Sequence, residues 1–227
     1  INIPHIILQP LANDDTGYET EQIEPVSIFQ ATPIGLAVKK DSGIETMEDF
    51  IAEAKEKPGQ ITIAGSGTYS GHHLAFLQLQ ELADIELQYI DFTGAASQVQ
   101  GFLGGNAMAI LGNSNDLVNY QDDINVLAIG SEEQFEPLPD VPTFKEAGYE
   151  MTASIDRGVA VPPETPEVIK NKLEAAFLEI ANDESIQEQM KEEGFEPKAM
   201  GVEEAKAYIE AKTEEYKTLL DGLENDG

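Results

Sequence analysis

ITIAGSGTYSGHH, residues 61–73, is the stretch on which the reading of the fold turns. Its first four residues are apolar or β-branched and predict a strand over 61–64. Residues 65–71 form a loop of glycines, hydroxyls and one tyrosine, and a helix opens near His72 and runs through Leu74, Leu77, Gln78 and Leu82. Glycine lets a backbone approach a ligand closely and adopt positive φ. A helix start presents unpaired N–H groups and so favours an anion. Ser66, Thr68 and Ser70 add hydroxyls to the same loop. The stretch predicts a pocket for a small anion at the end of a strand.

The segments on either side give this loop a sheet to sit on. Upstream, Thr46 with Asp49 reads as a capping box for a helix over 46–56, with Met47, Phe50, Ile51 and Ala54 on one apolar face and Lys57-Pro58-Gly59 at its end. Downstream come a strand over 86–90, a loop over 91–94 and a helix over 95–103 with Val99, Phe102 and Leu103 inward, stopped by Gly104-Gly105. An apolar strand over 107–111, a polar loop over 112–116, a short helix to Tyr120 and a strand over 125–129 follow. Helix and strand alternate through 46–130, and the strands at 61, 107 and 125 are apolar throughout, as parallel strands covered on both faces are. Ligands of such sheets sit at the carboxyl ends of the strands. Three loops leave strand ends there, at 65–71, 91–95 and 112–116, and all carry small or polar residues.

The flanks are less regular. Residues 1–25 show no clear period, and strands over 24–29 and 35–39 flank Pro33, which suits either a crossing between lobes or a simple hairpin. Residues 138–142, LPDVP, form a stiff turn, and a short helix over 143–147 has Gly148 as its C-cap. One or two strands over 151–161 surround Asp156-Arg157-Gly158. Thr165-Pro166 reads as N-cap and N1 of a helix to about Ala181, with Val168, Ile169, Leu173, Phe177 and Ile180 inward. A shorter helix over 183–193 ends at Gly194, and the last, over 202–220, places Val202, Ala205, Ile209, Tyr216 and Leu220 on one side.

Composition excludes several function classes. The chain has 227 residues and is 41% hydrophobic, enough for one large domain or two lobes with ordinary cores. Cysteine is absent, so thiolate metal sites and thiol nucleophiles are excluded. Forty-three acidic residues face 13 basic ones, a net charge of −30, which opposes binding to nucleic acid or to an anionic membrane surface. The acids are spread along the whole chain. That suits a protein adapted to high salt, where at ~1 M the Debye length is about 3 Å; an ordinary acidic protein is the alternative. No stretch reaches the ~18 to 20 apolar residues of a membrane span.

GSGTYSG is GxGxxxG, one residue longer than the dinucleotide fingerprint, although Asp91 ends the next strand as in a Rossmann unit. A Rossmann-like dinucleotide-binding enzyme therefore stays open as an alternative. There is no Walker lysine, and Ser70 lies in GTYSG, which breaks the nucleophile-elbow spacing. His72 and His73 point about 100° apart on a helix and cannot act as a metal pair; His73 suits either a ligand contact or a cap of the loop, and His5 a structural role. Arg157 is the only arginine. Its fork suits a ligand carboxylate or an interlobe ion pair, the latter favoured by Asp156. The glutamates after Thr165 read as solvated faces.

In this order, ITIAGSGTYSGHHLA, YIDFTGAASQVQGFLGGNAMAIL, LPDVPTFKEAGYE and DRGVAVPPETPEVIKNKLEAAF resemble the substrate-binding proteins of tripartite tricarboxylate transporters, the TctC or Bug receptors, from about Pro4 to the last helix. The resemblance implies an α/β fold like the type II periplasmic binding proteins, two lobes with a ligand cleft: residues 1–34 plus 151–227 as one lobe and 35–150 as the other. It implies capture of a small di- or tricarboxylate, delivery to membrane permease subunits, no catalysis, no cofactor and no metal. A monomer in the periplasm or outside the cell, with or without a lipid anchor, is expected. A sensor with this fold and no transport role is a further alternative. Carried onto this chain, Ser66, Gly67, Thr68, Tyr69 and Ser70 with His73 hold one carboxylate, Thr93, Gly94 and Ala95 add to it from the next helix start, and Asn113 and Arg157 contribute polar contacts. Short-range amide dipoles let an acidic protein hold an anion in salt. Tyr69 stands where the family often has Gly and Thr93 where it often has Lys, so the ligand is expected to differ. The family also has an upstream segment with a first strand and glycine-rich loop, so the lobe containing residues 1–34 is expected to be incomplete at its N-terminal side and short of strands.

Overall fold

The computed structural model describes residues 1–13 and 15–225, with side chains through residue 220. In chain order it forms β1 (Asn2–Ile3), α1 (His5–Ala12), β2 (Glu24–Lys39), α2 (Met47–Glu56), β3 (Thr62–Ser66), α3 (Gly71–Ala83), β4 (Gln88–Phe92) and α4 (Ala95–Leu103). Then come β5 (Ala109–Asn113), α5 (Ser114–Asn119), β6 (Ile124–Ile129), β7 (Ser154–Val161), α6 (Glu167–Ala181), α7 (Glu184–Glu192), β8 (Glu196–Met200) and α8 (Val202–Asn225). The chain divides into two units. One comprises Ile1–Ala31, Ile155–Met190 and the chain from Glu196; the other comprises Thr32–Ser154 with Lys191–Phe195.

β2 is one unbroken strand of 16 residues, so the hairpin alternative at Pro33 does not hold. Its residues to Ala31 pair with β8, and those from Ile34 pair with β5. Pro33 falls between the two sets, where its missing N–H costs no ladder bond.

In the unit centred on Thr32–Ser154, β3 runs parallel to β4 (Ala64 opposite Ile90) and to β5 (Ala64 opposite Ile110). β2 runs antiparallel to β5 (Leu36 opposite Leu111) and to β6 (Leu36 opposite Ala128). The order is thus β4-β3-β5-β2-β6, with β2 alone reversed. The apolar strand at 125 is β6; it runs antiparallel to β2, and its Ile129 makes a parallel bridge to Thr143. An all-apolar strand reports two covered faces, and both directions satisfy that. α4 packs across β3, β4 and β5. Val99 and Phe102 enter a core with Ala64, Ile110, Leu117, Ile129 and Phe135. The capping box at Thr46 forms as its spacing requires, with Asp49 N–H donating to Thr46 Oγ1 at 3.1 Å and Thr46 N–H to Asp49 Oδ2 at 3.0 Å. Two expected elements differ. The loop at 112–116 does not exist, because β5 runs to Asn113 and α5 begins at Ser114. The helix at 143–147 is a single turn, closed by Ala147 N–H on Thr143 O at 3.0 Å; Pro142 and Gly148 leave no room for a second.

In the other unit β1 pairs with β7 (Asn2 opposite Arg157), β7 neighbours β2, and β8 pairs with β2 (Ile28 opposite Met200). α1 lies on α8, burying Ile7 and Leu8 with Ala205, Ile209 and Tyr216. α6 starts one residue later than its sequence signals suggest. Pro166 is the N-cap, and Thr165 Oγ1 donates back to Pro162 O at 2.7 Å. Its apolar stripe is inward only in part: Leu173 and Phe177 are half-buried, with Phe177 stacked on Phe29 at 5.9 Å between ring centroids, whereas Val168, Ile169 and Ile180 are 63%, 46% and 49% exposed. Helical period shows which residues share a face and says nothing of what covers it.

Candidate functional site

The carboxyl ends of β3, β4 and β5 lie side by side, and the register fixes how. Ser66 stands opposite Phe92, and Ala64 opposite Ile110, so the exits toward α3, α4 and α5 share one edge of the sheet.

At the β3 exit a backbone approach as close as the sequence suggests is made to a side chain of the same chain. A Cβ on Gly65 would collide with Tyr89 Oη, so glycine is what lets Tyr89 cross β3. Tyr89 Oη then donates to Gly67 O at 3.2 Å, and burial raises its pKa, which keeps the phenol a donor. The turn continues through Gly67 at φ 81° and Tyr69 at φ 55°, a left-handed conformation uncommon for a non-glycine residue. Ser70 is buried and caps α3, its Oγ accepting from His73 N–H at 3.2 Å. Gly67 N–H donates to Asp91 Oδ1 at 2.7 Å, and Thr68 Oγ1 to Asp91 Oδ2 at 3.3 Å. Two donors that the sequence assigns to a ligand are thus engaged by the chain's own carboxylate.

The two histidines divide their work. His73 is half-buried against Tyr69, Phe76 and Tyr89, and its Nδ1 accepts from Tyr69 N–H at 3.4 Å. Burial lowers its pKa, and the Asp91 carboxylate partly opposes that. His72 is 1% exposed and reaches inward. Ser66 Oγ lies 2.7 Å from its Nδ1, and Asn113 Oδ1 lies 3.2 Å from its Nε2. Asn113 Nδ2 in turn donates to Asp116 Oδ2 at 3.4 Å. His72 is the residue to which the sequence reading assigns no site role. Its signal is present: residues 75, 76 and 79, one turn and two turns on, are Ala, Phe and Leu, and all are buried with it.

At the β4 exit Thr93 and Gly94 are exposed and Gly94 is the N-cap of α4, with Ala95 its first residue. The helix start is anchored from below by Gln98, which is buried and donates both Nε2 hydrogens, to Ala64 O at 3.0 Å and to Leu111 O at 2.6 Å. At the β5 exit Ser114 Oγ donates to Gly194 O at 2.6 Å. The structure therefore brings Ser66, His72 and Asn113 into one hydrogen-bonded cluster and sets Gly67 and Thr68 on Asp91 beside it. Arg157 belongs to the other unit. There it lies on β7 opposite Asn2, and it adds to the burial that lowers the pKa of His5. Its neighbour Asp156 is buried and accepts from Tyr208 Oη. Among the described residues no group of three His, Cys, Asp or Glu is placed to hold a metal, and no helix is long and apolar enough to cross a membrane.

Known proteins share this architecture. A Rhodopseudomonas palustris protein solved with adipate superposes with a TM-score of 0.91 at 21% identity, over 98% of this chain and 76% of its own. MatC of the same species, with bound malate, gives 0.82 at 19%, over 94% and 74%. A Cupriavidus necator protein encoded in the gbd 5′ region is 27% identical over 191 residues, 83% of this chain and 58% of its own length. This chain thus spans less than two thirds of that relative's length. Residues 4–224 match the model of the tripartite tricarboxylate transporter family receptors, and the chain belongs to that family.

Proposed function

We propose that this chain captures a small carboxylate and hands it to the permease of a tripartite tricarboxylate transporter, outside the cytoplasmic membrane and without turnover. One observation carries the reading. The edge formed by β3, β4 and β5 gathers the starts of α3 and α4 with hydroxyl and amide side chains and the Asp91 carboxylate, which Gly67 and Thr68 engage, and includes neither lysine nor arginine. Helix starts favour an anion without adding a fixed cation. Adipate and malate in the two structural neighbours are consistent with a dicarboxylate. The net charge of −30 fits work in high salt, where short-range contacts outlast long-range repulsion. A dinucleotide-binding enzyme is disfavoured by Asp91, which that reading needs for a ribose and which here holds Gly67 and Thr68.

The test is a thermal-shift and calorimetric screen of mono-, di- and tricarboxylates, with NAD(P) as control, in 2 M KCl. At a hundredfold excess over Kd a true ligand adds about 2.7 kcal/mol, a rise of roughly 5–10 °C for a chain of this size. Stabilisation by NAD(P) and by no carboxylate overturns the proposal.

A further inference from the structure

The hydrogen-bond chain behind Ser66 has a direction. It begins at Asp116, whose carboxylate only accepts. Asn113 must therefore turn its Nδ2 toward Asp116 Oδ2, at 3.4 Å, and this leaves Oδ1 facing His72 Nε2, at 3.2 Å. An amide oxygen also only accepts, so the neutral imidazole, the form on which the inference rests at pH 8, carries its one hydrogen on Nε2. Nδ1 is then a bare lone pair, and the group 2.7 Å from it is Ser66 Oγ. Ser66 has one hydrogen, and it is spent on Nδ1. Asn113 is 5% and His72 1% exposed, so water does not readily replace either link. Ser66 is half-buried at the end of β3 and is the end of the chain that opens toward the proposed site.

From this polarity we infer that Ser66 is a specificity residue that accepts a hydrogen bond from the ligand, so that the receptor selects a carboxylate bearing a hydroxyl or ammonium group over the unsubstituted diacid. This rests on the carboxylate-receptor reading and sharpens it. A carboxylate oxygen set against Ser66 Oγ would meet only lone pairs. A hydroxyl or ammonium donor completes the chain Asp116–Asn113–His72–Ser66–ligand. His72 and Asn113 do not touch the ligand in this scheme; they are positioning residues that fix which way Ser66 points.

Calorimetry on the whole chain at pH 8 and 2 M KCl tests it with two matched series: succinate, malate and aspartate, and glutarate, 2-hydroxyglutarate and glutamate. In at least one series a substituted acid is expected to bind about tenfold more tightly than its parent, the factor set by leaving a polar group unpaired. Ser66→Ala is expected to collapse that ratio to about twofold or less. A second measurement needs no variant: long-range 1H–15N correlation of the wild-type histidines is expected to show His72 with hydrogen on Nε2 and not on Nδ1. Parent diacids binding as tightly as their substituted forms, a ratio that survives Ser66→Ala, or hydrogen on His72 Nδ1 overturns the inference. If other carboxylates of the wider screen bind and none of these six does, the inference falls and the receptor reading stands. If no carboxylate binds, both fall.

Discussion

His73 shows how a single ring can couple the loop to pH. It sits against Tyr89 with ring centroids 4.9 Å apart, and its Nδ1 accepts from the backbone of Tyr69. Burial lowers its folded-state pKa below the ordinary value near 6.5, and Asp91 does not fully offset this. The folded state then binds fewer protons than the unfolded one. Stability from this group is complete above pH 6.5 and is lost as pH falls through that value toward the lowered one. His5 shifts the same way, by burial and then by Arg157. The thermal midpoint is expected to fall between pH 7.5 and 5.5 in 2 M KCl, and His73→Gln to flatten part of that slope; an identical slope in the variant refutes the assignment. The same pair of histidines marks what a sequence can convey at this scale. Adjacency alone says they diverge, and only the buried residues 75, 76 and 79 say which one turns inward. Asp91 was legible as the acid after the second strand, but its bond to Gly67 depends on a register that no local pattern encodes.

Elements were legible where their signals are local. The capping box of α2 and the span of α4 are set by neighbours within one turn, and both occur where spacing places them. β2 was not legible as one strand, since Pro33 reads as a breaker unless the change of partners around it is known. α6 is the sharper case. Its apolar residues recur at helical spacing, yet Val168 and Ile169 are 63% and 46% exposed. Surface substitutions usually change stability by less than about 0.5 kcal/mol. Ile169→Gln and Val168→Gln in this chain are therefore expected to leave the denaturant midpoint almost unmoved. A loss of about 2 kcal/mol or more, the range of a buried aliphatic residue, would show that this stripe is covered in solution.

Across the whole molecule the question is which electrostatic effect wins. Forty-three acidic residues against 13 basic ones repel one another in the folded state. Against this stand ion pairs such as Lys57–Glu53 at 2.6 Å, Lys145–Glu132 at 2.5 Å and Lys191–Glu136 at 2.7 Å. These pairs are solvent-exposed to a large degree, and such pairs contribute about 0–1 kcal/mol each. Salt weakens both effects, because the Debye length falls from about 8 Å at 0.15 M to about 3 Å at 1 M. Ion pairs in contact lose less by that change than repulsion summed over longer distances. Stability should therefore rise with salt. Between 0.1 and 2 M KCl the thermal midpoint is expected to climb by at least about 5 °C, equivalent to roughly 1.3–2.5 kcal/mol for a chain of this length. Chloride is the appropriate salt, since sulfate would stabilise any protein by exclusion from its surface. A flat or falling midpoint would mean that the acidic surface is tolerated without salt, and that adaptation to high salt is not the reason for it.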